Sequence, residues 1–183
     1  MDVNILETKF PEVKIFIPKV HQDFRGFFCE TYNNTVDEAL GVKFVQDNHS
    51  MSKACVVRGL HYQWNQPMGK LLRVVKGSGT DVVVDIRKSS PKFGQHLKIK
   101  LSEENGYVLW VPPGFAQGFC ALENDTHLCY KTTSYHNSLA EGAINPRDEI
   151  LSIDWQVPNA ALILSKKDEA AQSFSQYSLE PSF

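Results

Sequence analysis

Apolar residues recur at alternate positions in a series of short runs, each too brief for an amphipathic helix and each bounded by turn residues. The pattern predicts strands over 13–17, 26–32, 71–75, 80–86, 95–101, 106–111, 117–122 and 127–133, rich in Val, Ile, Phe and Tyr. Branched and aromatic side chains suit a pleated, half-buried surface, and period two puts one face of each strand inward. Between the runs fall Lys76-Gly77-Ser78-Gly79, Lys88-Ser89-Ser90-Pro91, Pro112-Pro113-Gly114 and Glu123-Asn124-Asp125. Gly and Asn tolerate positive φ and Pro presets φ at corners, so these breaks are turns. Helical pattern is confined to 35–40 and to a tail over 166–173, whose first turn Ser165 can cap. Many short strands at this spacing predict an all-β sandwich or jelly roll with short flanking helices.

Composition narrows the function classes. A length of 183 residues, without linker or repeat, fits a single domain over 1–183. A net charge of −2 offers no basic field for a nucleic-acid backbone, but leaves room for a local basic pocket that takes one phosphorylated ligand. No apolar run has membrane-spanning length, and the polar start Met1-Asp2-Val3-Asn4 lacks a signal-peptide pattern, so the expected location is cytoplasmic. Four cysteines, Cys29, Cys55, Cys120 and Cys129, stand singly in apolar surroundings, as packed reduced thiols do.

The segment Val57-Arg58-Gly59-Leu60-His61-Tyr62-Gln63 and the run Lys70-Leu71-Leu72-Arg73-Val74 place an imidazole and three cations in strands. Charge is rarely buried unless paired or used for binding, so some of these groups point into a concave interior. Read singly, each has a plainer alternative. His61 can be a packed core histidine, Lys70 an edge-strand lysine, and Arg58 the partner of Asp47 or Asp85.

Taken together, Asp23-Phe24-Arg25-Gly26-Phe27-Phe28-Cys29-Glu30, Val45-Gln46-Asp47-Asn48-His49-Ser50, Arg58-Gly59-Leu60-His61-Tyr62-Gln63, Lys70-Leu71-Leu72-Arg73-Val74, Pro112-Pro113-Gly114-Phe115-Ala116-Gln117-Gly118-Phe119 and Leu164-Ser165-Lys166-Lys167-Asp168 resemble the dTDP-4-dehydrorhamnose 3,5-epimerases, in order and over nearly the whole chain. The resemblance implies a cupin-type double-stranded β-helix, a homodimer, and an isomerase that needs no metal or organic cofactor. It implies a nucleotide-sugar partner, dTDP-linked first, with CDP or GDP open, in deoxysugar biosynthesis. In such a 4-keto-6-deoxyhexose the hydrogens on carbons 3 and 5 both lie alpha to the ketone. Removing either gives an enolate that can be reprotonated from the opposite face, which calls for a base, an acid and an oxyanion partner.

The family's base falls on His61, its orienting carboxylate on Asp168, its enolate-stabilising lysine on Lys70 and its opposite-face acid on Tyr135. Substrate-binding positions fall on Arg25, Glu30, Gln46, Asn48, Arg58, Gln117 and Lys166. Phe24 and Phe28 either stack on a base or fill the core. Two departures stand out. Gln117 replaces the family's histidine and can hydrogen-bond but cannot carry a proton near pH 7, which raises single rather than double epimerisation. Asn145-Pro146-Arg147-Asp148 replaces a tryptophan-containing stretch. Two further functions remain in view: a non-catalytic sugar-nucleotide binder, and a metal-dependent cupin isomerase or dioxygenase, whose several-ligand metal site this sequence fills poorly.

Overall fold

The computed structural model describes residues 3–183. In chain order its strands are β1 (Val3–Glu7), β2 (Lys14–Pro18), β3 (Val20–Asp23), β4 (Gly26–Cys29), β5 (Gln46–Ser52), β6 (Val57–Gln63), β7 (Lys70–Lys76), β8 (Ser78–Asp85), β9 (His96–Ser102), β10 (Val108–Val111), β11 (Phe115–Ala121), β12 (Thr126–Thr132) and β13 (Glu141–Ala143). Helix α1 is Asn34–Leu40, and α2 (Lys166–Glu169) and α3 (Phe174–Leu179) close the chain. A six-stranded sheet in the order β1-β2-β10-β7-β12-β5 faces a five-stranded sheet in the order β13-β6-β11-β8-β9, and β3-β4 stands apart as a hairpin. Neighbours within each sheet are mostly distant in sequence. This is the jelly-roll arrangement that the alternation and turn spacing predict.

Three apolar clusters make two outer layers and an inner one. Val83, Phe115, Phe119, Leu72, Leu109 and Leu128 fill the space between the sheets. The outer face of the five-stranded sheet, with Val82, Val84 and Leu60, is covered by Leu151, Trp155, Phe174 and Tyr177 from the C-terminal segment. Phe16, Leu71 and Trp110 on the other outer face pack under Val36 of α1. The predicted tail helix is two short helices: Ser165 caps α2, and Ser173 starts α3 with a capping box. Strands β1, β3, β5 and β13 are absent from the periodicity reading, because none presents a buried apolar row: β3 is exposed throughout and β5 turns polar groups inward, and the run over 26–32 ends at Cys29.

One local feature positions the site. Strict alternation along β6 would put Val57 and Leu60 on opposite faces, yet both belong to the outer cluster. Gly59, at φ 131°, resets the phase between them, so that Arg58 and His61 both turn inward. A Cβ at Gly59 would collide with Gly118 Cα and lie 2.7 Å from the Gln117 carbonyl oxygen. This close approach brings His61 directly opposite Gln117 in the β6–β11 ladder.

Candidate active site

Between the sheets opens a cavity of about 370 Å³, lined by side chains from six elements. His61 and Arg58 come from β6, Lys70 and Leu72 from β7, Gln117 and Phe119 from β11, Leu128 and Tyr130 from β12, Ser50 from β5, and Asp168 and Lys167 from α2. Apolar Leu72, Phe119 and Leu128 form the floor. Charged groups converge at the walls.

His61 Nε2 lies 2.6 Å from Asp168 Oδ1. A carboxylate only accepts, so Nε2 carries the ring proton and Nδ1 keeps its lone pair for a base's work. Ser165 accepts from the Asp168 backbone N–H at 3.1 Å and starts the turn that delivers the carboxylate, which is only 3% exposed. Burial pushes the Asp168 carboxyl up, but the bond from His61, the charge that ring carries when protonated and the bond from Ser165 outweigh it and hold the group below its ordinary range.

Lys70 Nζ donates to Gln117 Oε1 at 3.0 Å, and Gln117 Nε2 donates to Asp81 Oδ2 at 2.7 Å. Burial lowers Lys70 against the opposing pull of the Asp81 and Glu141 charges. Arg58 donates to Ser52 Oγ at 3.0 Å and to the Met51 carbonyl at 3.2 Å. The structural pairing considered for it is not made: Asp47 binds Lys131 at 2.9 Å and Asp85 binds Arg87 at 2.7 Å. Arg58 therefore lines the cavity without a carboxylate partner among the described residues, as an anion-binding guanidinium does.

Tyr135 is not brought to this cavity. It follows the end of β12, its side chain is 67% exposed, and the tyrosine that lines the cavity is Tyr130. The phase of β12 explains the correction, since Leu128, Tyr130 and Thr132 share the inward face and Tyr135 lies beyond the paired residues. Burial raises the Tyr130 phenol by more than the Arg58 charge lowers it, and Glu141 adds a smaller upward push, so the phenol stays protonated at neutral pH. Lys166 is likewise exposed and off the cavity, whereas its neighbour Lys167 lines it and pairs with Glu141. Of α2 and its cap, Ser165, Lys167 and Asp168 line the cavity and Lys166 does not.

Gln46 and Asn48 bond each other at 2.8 Å and share the face of Ser50, at the margin of the cavity rather than in its lining. Arg25 and Glu30 lie elsewhere. Arg25 pairs with Asp23 at 2.6 Å on the β3–β4 hairpin, and Glu30 accepts from Asn33 at 3.2 Å. Phe24 and Phe28 are 98% and 68% exposed, so neither fills the core. The segment Pro146-Arg147-Asp148 lines a separate hollow beside Trp155. Sequence reasoning missed Tyr130, Asp81, Glu141 and Lys167. Alternation along β12 was the one signal that pointed to Tyr130. Among the described residues, no group of three or more His, Cys, Asp and Glu side chains is placed to hold a metal ion, so the donor set of a metal-dependent cupin is not assembled there. No helix among them is long and apolar enough to cross a membrane.

A jelly roll whose interior holds a carboxylate-bound imidazole, an ammonium and a phenol around one cavity belongs with the isomerases that move protons on carbon. Comparison with known proteins makes the class particular. Residues 7–176 match the family model described as dTDP-4-dehydrorhamnose 3,5-epimerase, and the chain belongs to that family. It is 48% identical over 176 residues to the dTDP-4-dehydrorhamnose 3,5-epimerase of Shigella flexneri, covering 94% of this chain and 96% of the relative. A crystal structure of the Legionella pneumophila enzyme in complex with dTDP-4-keto-L-rhamnose superposes with a TM-score of 0.89 at 44% identity, covering 93% and 92% of the two chains. ChmJ, a 3'-monoepimerase from Streptomyces bikiniensis solved with dTDP-quinovose, gives a TM-score of 0.88 at 28% identity, covering 94% of this chain and 89% of ChmJ. The protein is an epimerase.

Proposed function

We propose that this enzyme inverts carbon 3, carbon 5 or both in a dTDP-linked 4-keto-6-deoxyhexose, using only its own side chains. The observation that carries the reading is the His61–Asp168 bond of 2.6 Å in a cavity shared with Lys70 and Tyr130. His61 Nδ1 takes the proton from carbon, and the C–H electron pair moves into the ring as the carbonyl oxygen becomes an enolate oxygen. Asp168 holds the resulting imidazolium. Lys70 stabilises the enolate oxygen in a site largely emptied of water. Tyr130 delivers its phenolic proton to the other face of the carbon, and the phenolate is reprotonated by water. Arg58 suits the diphosphate, where a planar fork meets two oxygens.

The test is incubation with dTDP-4-keto-6-deoxyglucose in heavy water, with CDP- and GDP-linked sugars as controls, read by NMR. The expected result is solvent deuterium at carbon 3, carbon 5 or both, fastest with dTDP. No exchange on any of these sugars overturns the reading and favours the non-catalytic binder. Gln117 favours the narrower version, a single epimerisation, because the residue beside the ketone site cannot move a proton. Two deuterons in product would exclude it.

The enzyme also works as a homodimer in this reading. Arg25 and Glu30 do not line the cavity of their own chain, so a substrate contact from either requires a second copy to supply it. The exposed aromatics Phe24, Phe27 and Phe28 on the same hairpin suit an apolar interface. Light scattering that gives a monomer mass at working concentration would rule this out. A cytoplasmic enzyme of dTDP-sugar metabolism fits these assignments.

A further inference from the structure

The geometry points to Asp81 as a positioning residue for the epimerisation, one that sets the direction of the Gln117 amide and through it the placement of the Lys70 ammonium. Asp81 sits on β8 opposite Phe119, fully buried in the inner layer, and is not itself part of the cavity lining. Its Oδ2 accepts from Gln117 Nε2 at 2.7 Å, while Gln117 Oε1 accepts from Lys70 Nζ at 3.0 Å. A Gln amide has one donating and one accepting end, and nothing in its own shape decides which end faces the lysine. Asp81 Oδ2 decides it, because it only accepts, either as a carboxylate oxygen or as the carbonyl oxygen of a carboxyl protonated on the unpartnered Oδ1. Turned the other way, the amide would put N–H groups against N–H groups at Lys70. The inference rests on the reading that Lys70 faces the enolate oxygen.

Two further observations support the assignment. Asp81 Oδ1 is buried with no hydrogen-bond partner, so among the described residues the bond from Gln117 is the only one this side chain receives. Burial also pushes the Asp81 carboxyl up to about 8, against the bond from Gln117 and the charge of Lys70, while burial brings Lys70 down. The two groups titrate as a linked pair through a neutral amide. The cavity that Lys70 lines also holds His61 and Arg58 from β6, Tyr130 from β12, and Lys167 and Asp168 from α2, and the charge of Glu141 on β13 acts on Lys70 as well.

The test compares the native enzyme, Asp81→Asn and the double variant Asp81→Asn/Gln117→Glu. Asparagine offers a donor as well as an acceptor, so the Gln117 amide is free to turn. In the double variant the amide introduced on β8 donates to one oxygen of the carboxylate introduced on β11, and Lys70 donates to the other. That exchange restores the direction of both bonds with the same net charge. We expect Asp81→Asn to lower kcat roughly tenfold or more, short of the 10²–10³ that follows removal of an oxyanion donor outright, with KM little changed. The double variant should recover most of that loss. The ¹³Cε shift of Lys70 in lysine-labelled protein, assigned with Lys70→Arg, should titrate at lower pH in Asp81→Asn and at higher pH again in the double variant. That readout does not depend on turnover, so an inactive native enzyme would sink the functional reading while the network is still tested. A native kcat and Lys70 titration in Asp81→Asn, or a double variant no better than the single, would overturn the inference. If Asp81→Asn does not fold, Gln117→Glu alone should raise the Lys70 titration, and an unchanged titration would be equally decisive against it.

Discussion

His61 and Asp168 lie 107 positions apart in the chain, yet their ring nitrogen and carboxylate oxygen meet at 2.6 Å. The contact joins an inner strand of the five-stranded sheet to a single-turn helix held in place by a serine cap. Removing either partner should be felt in catalysis before it is felt in folding. His61→Asn should lower deuterium exchange by about 10²–10⁴-fold, the usual contribution of a general base. Asp168→Asn leaves the ring in place but releases its tautomer, and a loss of roughly 10–100-fold is expected. Exchange rates near native in His61→Asn would remove the imidazole from the mechanism.

Tyr130→Phe separates the two faces of the sugar. With the phenol gone, the base can still lift and return a proton on its own side, so solvent deuterium should enter without inversion while epimerised product falls by about 10²-fold or more. Tyr135→Phe, on a side chain 67% exposed and outside the cavity, should behave as native. Measuring both exchange and product configuration distinguishes the two tyrosines directly.

The depressed Asp168 carboxyl makes a pH prediction for stability. A group whose folded-state pKa lies below its unfolded value binds fewer protons when folded, so it favours the folded state above the unfolded value and that advantage disappears as pH falls through the folded value. The urea midpoint of the native enzyme should therefore drop relative to that of Asp168→Asn as pH falls below about 4. Parallel curves across that range would show that the His61 contact does not protect the carboxylate.

Gly59→Ala tests the strand phase on which the site depends. The substitution forces a Cβ into the β11 backbone at a φ of 131°, and positive φ alone costs a side-chain-bearing residue about 1–3 kcal/mol. With the backbone collision added, a loss of at least ~2 kcal/mol in unfolding free energy is expected, together with loss of exchange activity, because Arg58 and His61 are aimed by this turn of the strand. Thermal melting and the exchange assay give both numbers.

Much of the fold was legible in the chain because period-two alternation and turn chemistry are local properties. The strands over 80–86, 95–101 and 127–133 recur within one or two residues as β8, β9 and β12. Strand β5 escaped because Gln46, Asn48 and Ser50 turn polar groups inward toward a cavity, which breaks the apolar pattern that marks an inner face. The same property hides a binding site from periodicity: its residues are polar where a core would be apolar.

Alternation and turn chemistry were enough for the class of fold, and the family resemblance carried by motifs in order pointed to His61, Lys70 and Asp168, which the structure brings to one cavity. That Tyr130 rather than Tyr135 lines the cavity with His61 was decided in three dimensions, because the two are five residues apart and the sheet's last hydrogen-bonded pair falls between them. Likewise it is Lys167, not Lys166, that lines the cavity, a placement that no linear motif records. Asp81 and Glu141 entered through packing alone. Burial, direction and distance are properties of neighbours across the sheet, and a side chain acquires them only when distant strands are laid side by side.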